Sequence, residues 1–186
     1  IVLGVNDKSY KKKQHHIISN ASCTTNCVST IMKVLEENVG VKRCLFTTIH
    51  AYTSSQKLVD GPHKDLRRAR AAALNIIPTT SGADKATIEV IPSLKDKIRG
   101  SAIRVPLVNG SVTDFTVEMN KAVTVDQINN LFKKHAMGKM KGIIEYSEEE
   151  LVSSDIIGNP YSAIFDSKLT TVVDGKFLKI VAWYDN

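Results

Sequence analysis

The residues best placed to do chemistry lie in the run Ser19-Asn20-Ala21-Ser22-Cys23-Thr24-Thr25-Asn26-Cys27. Val28, Ile31, Met32, Leu35 and Val39 follow at helical spacing, so this run is the entry to a helix that Gly40 closes. At such an entry, free backbone N–H groups and the positive end of the helix dipole favour a thiolate over a thiol at Cys23. Ser22, Thr24 and Thr25 bring hydroxyls to the same anion-friendly end. A second reactive group closes the next apolar stretch: Phe46-Thr47-Thr48-Ile49-His50. A cysteine and a histidine within reach of each other are the standard way to hold a nucleophilic sulfur at neutral pH. Structural alternatives stand beside each reading. Ser and Thr are good N-caps, Cys is often a small buried hydrophobe, and a single His is often a satisfied polar residue. Cys23 and Cys27 with His15 or His16 do not form the closed four-ligand set of a zinc site, so no metal ligands are expected. Cys27 and Cys44 read as packing residues.

Several elements must position this pair. His16-Ile17-Ile18-Ser19 reads as a short buried strand ahead of the helix, and Val41–Ile49 as a β-branched strand after it. Strand, helix and strand then return the chain to one edge, which brings His50 to Cys23. Residues 51–70 are polar, contain Gly61-Pro62 and end in Arg67-Arg68-Ala69-Arg70, a long loop of the kind that carries function. Thr113, Phe115, Val117 and Met119 alternate with polar residues as a half-buried strand. Thr124 and Gln127 form a capping box before a second helix, and Asp174-Gly175 marks a hairpin between Leu169–Val173 and Phe177–Trp183. At least four strands and two helices give an α+β fold: a mixed, mainly antiparallel sheet with helices on one face, a two-layer sandwich.

Composition narrows the classes. Hydrophobic residues make 42% and charged residues 24% of 186, which excludes a disordered tail. No apolar run approaches the roughly 18 residues of a membrane helix, and Ile1-Val2-Leu3-Gly4 shows no signal-peptide pattern. Three cysteines are too few, and an odd number, for a disulfide scaffold, so a reducing, cytoplasmic setting is expected. The formal charge of +6 points to anionic partners without choosing among phosphorylated metabolites, nucleic acid and acidic lipid.

The cysteine run resembles the active-site signature of the phosphorylating glyceraldehyde-3-phosphate dehydrogenases. The likeness continues through Thr48-Ile49-His50-Ala51-Tyr52-Thr53, Asp65–Ala72, Ile76-Ile77-Pro78, Arg104-Val105-Pro106 and Trp183-Tyr184-Asp185-Asn186. It implies residues 1–21 as a remnant of the dinucleotide-binding (Rossmann) domain and 22–186 as the catalytic domain, with both ends cut, the carboxy-terminal helix missing, and the piece alone inactive. It implies Cys23 as nucleophile and His50 as its base, in the NAD-dependent oxidative phosphorylation of glyceraldehyde 3-phosphate to 1,3-bisphosphoglycerate. Thr53 and Arg104 match the substrate-phosphate site. Ser22, Thr24, Ser81 and Gly82 match the inorganic-phosphate site, with Arg68 as a further phosphate ligand. Asn186 matches the residue that holds the nicotinamide. Pro62, lacking a donor, favours NAD over NADP. The resemblance also implies a homotetramer.

Three departures stand out. Ser81 replaces the usual threonine, Asp84 a small apolar residue, and Val108-Asn109-Gly110-Ser111 a proline-containing strand. Asp84 is expected to point to solvent, and the last change to be local backbone variation. An erythrose-4-phosphate dehydrogenase is the nearest rival. That branch tends to lack Thr53 and the Ser81-Gly82 pair. A non-catalytic RNA- or polyanion-binding module is the rival of another class, and no interleaving of aromatic with basic residues supports it.

Overall fold

A computed structural model describes residues 1–186. Helix α1 (Cys23–Asn38) opens on Ser22, whose side chain accepts from the Thr25 amide, and buries the stripe expected of it. Strand β1 (Val41–Ala51) follows, and a long irregular stretch leads to β2 (Ile77–Thr80). The chain continues through α2 (Ala83–Val90), β3 (Ile98–Val105), β4 (Ser111–Met119) and α3 (Val125–Met137), and on to β5 (Ile144–Ser147), β6 (Ala163–Val173) and β7 (Phe177–Tyr184). Thr124 and Gln127 close the capping box of α3 reciprocally. In the β6–β7 turn, Asp174 and Gly175 both take positive φ, which glycine adopts without strain.

The strands form one sheet in the order β2-β3-β1-β4-β7-β6-β5. Pairs β1–β3 and β5–β6 are parallel and the rest antiparallel. This is the α+β sandwich expected. β4 buries every second residue, from Ser111 to Met119, and α1 and α3 pack on that buried face. A core of 26 residues lies between, with Phe132 stacked on Phe165 at 4.0 Å. On the opposite face Leu45 is open to solvent. Pro78, which cannot donate to a ladder, sits on the edge strand β2 where that loss costs least. No helix is long and apolar enough to cross a membrane.

Two expectations fail. His16–Ser19 is no strand, and Ile17 is 95% exposed. The run has β-branched residues, but no neighbouring strand lies beside it to complete a ladder, and burial rather than propensity decides such short segments. The second concerns Asp84. It is buried in the first turn of α2, where its Oδ1 accepts from the Lys85 amide at 2.8 Å, rather than pointing to solvent. A carboxylate at a helix start finds backbone donors there, which offsets its loss of water.

Candidate active site

Helix α1 and strand β1 run in opposite directions across the sheet, so the start of one meets the end of the other. Ala21 takes a positive φ of 61°, turning the chain sharply so that Ser22 can cap the helix and Cys23 becomes its first residue. A non-glycine residue in this conformation carries strain, here directly beside the thiol. Cys23 Sγ lies 3.4 Å from His50 Nε2. His50 is buried, and its Nδ1 is 2.6 Å from the Ala51 carbonyl. That carbonyl can only accept, so with the proton on Nδ1 the Nε2 lone pair faces Cys23, although Arg104 Nη1, which can only donate, also lies 3.0 Å from Nδ1.

Burial pulls the His50 imidazole below its ordinary range, and the Arg104 guanidinium adds to this against the Ala51 carbonyl. This favours the neutral imidazole, which is able to accept a proton. Stability follows the same shift. As pH falls through about 6.5 the unfolded chain protonates this residue before the folded one does, so stability is lost down to the lowered folded value. Urea titrations at pH 7.5 and 5 should show a smaller loss in His50→Asn than in the parent chain.

Cys23 and His50 open on a cavity of about 390 Å³. Its walls include Ser22, Thr24, Thr53, Arg68, Ser81, Gly82 and Arg104, so every candidate except Asn186 lines one space. The backbone brings Arg104 there directly, because it is the register partner of His50 across the parallel β1–β3 pair. Its Nη1 donates to the Ala51 carbonyl at 3.1 Å and to Thr53 Oγ1 at 3.2 Å, while its Nε is buried without a partner. Arg68 reaches in from the long loop, its Nε on Thr79 Oγ1 and its Nη2 on the Thr80 carbonyl. Ser22 Oγ is occupied with Thr25, and Thr24 Oγ1 lies 2.8 Å from the Tyr184 hydroxyl. Around Gly82, space is open where a side chain would stand.

Asn186 joins from the end of β7. Its Nδ2 is 3.1 Å from His50 Nε2 and 3.9 Å from Cys23 Sγ. Its Oδ1 accepts from Ser111 Oγ and its amide donates to Asn109 Oδ1. Asn109, read from sequence as backbone variation, thus helps hold the candidate Asn186. The Nδ2 donor of Asn186 faces Cys23 while its Oδ1 is held by Ser111, an orientation that presents a donor to a carboxamide oxygen such as that of nicotinamide. Cys27 and Cys44 are buried, and burial pushes the Cys44 thiol up to about 12.

Sequence reasoning missed part of the cavity. Thr48, Thr80, Ala83, Ala86 and Ala102 also line it, and α2 begins at it, so two helix starts converge on one space. Gly82 followed by Asp84 in a first turn was the available signal for that second start.

Residues 22–186 match the family described as glyceraldehyde 3-phosphate dehydrogenase, C-terminal domain. The whole chain is 58% identical to the glyceraldehyde-3-phosphate dehydrogenase of Streptomyces coelicolor and covers 56% of that protein. It is 58% identical to that of Mycobacterium tuberculosis, covering 54%, and 54% identical to that of Geobacillus stearothermophilus, covering 56%. The chain thus spans a little over half the length of the curated relatives it matches.

Proposed function

The chain belongs to the glyceraldehyde-3-phosphate dehydrogenase family through its C-terminal domain, and from that premise we propose that it carries the catalytic half of an NAD-dependent enzyme that oxidises and phosphorylates glyceraldehyde 3-phosphate. The observation that carries this is the 3.4 Å contact of Cys23 with His50 at the mouth of a cavity that holds two guanidinium groups. A nucleophile–base pair beside two cations suits a phosphorylated aldehyde better than a polyanion, for which a reactive thiol has no use.

Neutral His50 takes the Cys23 proton through Nε2 as sulfur adds to the aldehyde carbon. The imidazolium then donates to the oxygen that gains charge and, with the Cys23 backbone N–H, stabilises it as a hemithioacetal. NAD, when bound, supplies the two-electron acceptor for the hydrogen on that carbon, and Asn186 is the residue here that would hold its carboxamide. His50 Nε2 takes the hydroxyl proton as the carbonyl re-forms, leaving a thioester on Cys23. Inorganic phosphate attacks that thioester, the thiolate leaves, and 1,3-bisphosphoglycerate is released. Arg104 and Thr53 hold the substrate phosphate. Ser22, Thr24, Ser81, Gly82 and Arg68 receive the attacking one, Ser22 and Thr24 by exchanging a partner already present.

Residues 1–21 are in this reading a remnant of the dinucleotide-binding domain and 22–186 the catalytic domain, a division that the family match over 22–186 supports. Three unpaired cysteines suit a cytoplasmic enzyme, and the family resemblance supports a homotetramer.

The test is protection of Cys23 from iodoacetamide at pH 7, read by peptide mapping. Glyceraldehyde 3-phosphate should protect, and unphosphorylated glyceraldehyde should do so only at far higher concentration. Equal protection by the two aldehydes, or by neither, overturns the reading. Stronger protection by erythrose 4-phosphate would favour that substrate instead.

A further inference from the structure

Arg68 is the one cavity cation that comes from a long irregular loop, and a side chain on such a segment has to be held if it is to serve a reaction. Its anchorage is specific. Arg68 Nε donates to Thr79 Oγ1 at 2.8 Å, and the same hydroxyl donates to Asp65 Oδ2 at 2.8 Å. Thr79 therefore uses its single proton on the carboxylate and its lone pair on the guanidinium. Asp65 Oδ2 stands 3.6 Å from Arg68 Nε, beyond a direct hydrogen bond. Asp65 Oδ1 meanwhile accepts from the Arg67 amide at 2.9 Å, which shapes the turn that carries Arg68.

We propose that Thr79 and Asp65 are positioning residues that aim Arg68 at the anion in this cavity, with Thr79 relaying between carboxylate and guanidinium. This rests on the reading of Arg68 as a phosphate ligand. Three features favour an aimed cation over a plain surface ion pair. Thr79 lies on β2, hydrogen-bonded to the rest of the sheet through β3, so the loop cation is referred to the same framework that carries His50 and Arg104. The indirect link leaves Arg68 Nη1 without a partner in the chain, so its donors remain for a ligand. Both guanidinium groups line the one cavity, and burial first, with repulsion from Arg68 after it, pulls Arg104 below its ordinary value. Two like charges that line one cavity gain from a carboxylate behind one of them while no anion is bound.

Anionic iodoacetate and neutral iodoacetamide carry the same reacting carbon, so the ratio of their rates at Cys23 reads the cation field of the cavity apart from the reactivity of the thiol. Each rate is measured by peptide mapping on the 186-residue chain, Thr79→Val, Thr79→Ser and Arg68→Gln. Valine keeps the shape and strand propensity of threonine. An unchanged iodoacetamide rate shows that Cys23 and its surroundings have stayed intact. The expected result is a ratio lowered roughly tenfold in Thr79→Val, the weight of one hydrogen bond to a charged group, with a similar loss in Arg68→Gln and recovery in Thr79→Ser. Loss in Arg68→Gln with none in Thr79→Val overturns the positioning role and leaves Arg68 as a phosphate ligand. No loss in Arg68→Gln removes the phosphate reading of Arg68, and the inference falls with it. A Thr79→Val chain that loses both rates alike shows a structural role only, and also overturns it.

Discussion

Replacing His50 by asparagine is expected to slow alkylation of Cys23 at pH 7 by about 10²-fold, the lower end of what a positioned base contributes. The side chain would keep its approximate size and polarity but lose the Nε2 lone pair that lies 3.4 Å from the sulfur. Nothing else near Cys23 can take its place. Asn186 offers the sulfur only a donor, and Arg104 has no acceptor. The chain carries its own control, because Cys27 and Cys44 are buried and should stay unmodified in both proteins until they unfold. Mass spectrometry of tryptic peptides against time gives both rates. An unchanged rate in His50→Asn would mean that the helix start alone activates the thiol.

The second large effect is structural. Gly100→Ala is expected to destabilise the chain by about 1–3 kcal/mol, the cost of forcing an extra group into a packed core. Gly100 is the direct partner of Phe46 across the β1–β3 pair, and the Phe46 ring lies over the space its missing side chain leaves. A Cβ there would stand 2.0 Å from the ring edge. The ring has no retreat, because on the other side Phe46 pairs with Phe115, their ring centres 6.1 Å apart. Urea unfolding reads the loss. Adding Phe46→Leu to Gly100→Ala should recover part of it. A single variant as stable as the parent would show that the sheet can open at this point.

The proposed nucleophile and base are readable in the sequence because both sit where local signals are strongest. A serine cap before an apolar helical stripe fixes Cys23, and the end of a β-branched run fixes His50. The hairpin and the capping box of α3 were readable for the same reason. What escaped depends on distant partners. β3 contains Arg99, Gly100, Ser101 and Arg104 and shows no alternation, since its Gly100 serves a ring on another strand. α2 has β-branched residues and no side-chain cap, so neither its stripe nor its start was marked strongly. His16–Ser19 has the composition of a strand and nothing to pair with. Asn109 looked like an irregularity until its contact with Asn186, 77 positions away, gave it a purpose.

His50 and Arg104 occupy matching rungs of two parallel strands. The spacing of that ladder, about 4.8 Å between neighbouring strands, sets the backbone distance between the proposed base and the proposed phosphate anchor. It acts as a ruler cut in whole residues. One residue added to β1 or β3 would swing one of the two side chains to the opposite face. Changes between Tyr52 and Lys97 that spare β2 leave the interval between the two untouched, because neither residue is carried by those segments. The proposed base and substrate-phosphate anchor are both indexed to the strands, whereas Arg68 comes from the loop, so a loop change can alter the second cation without moving the first.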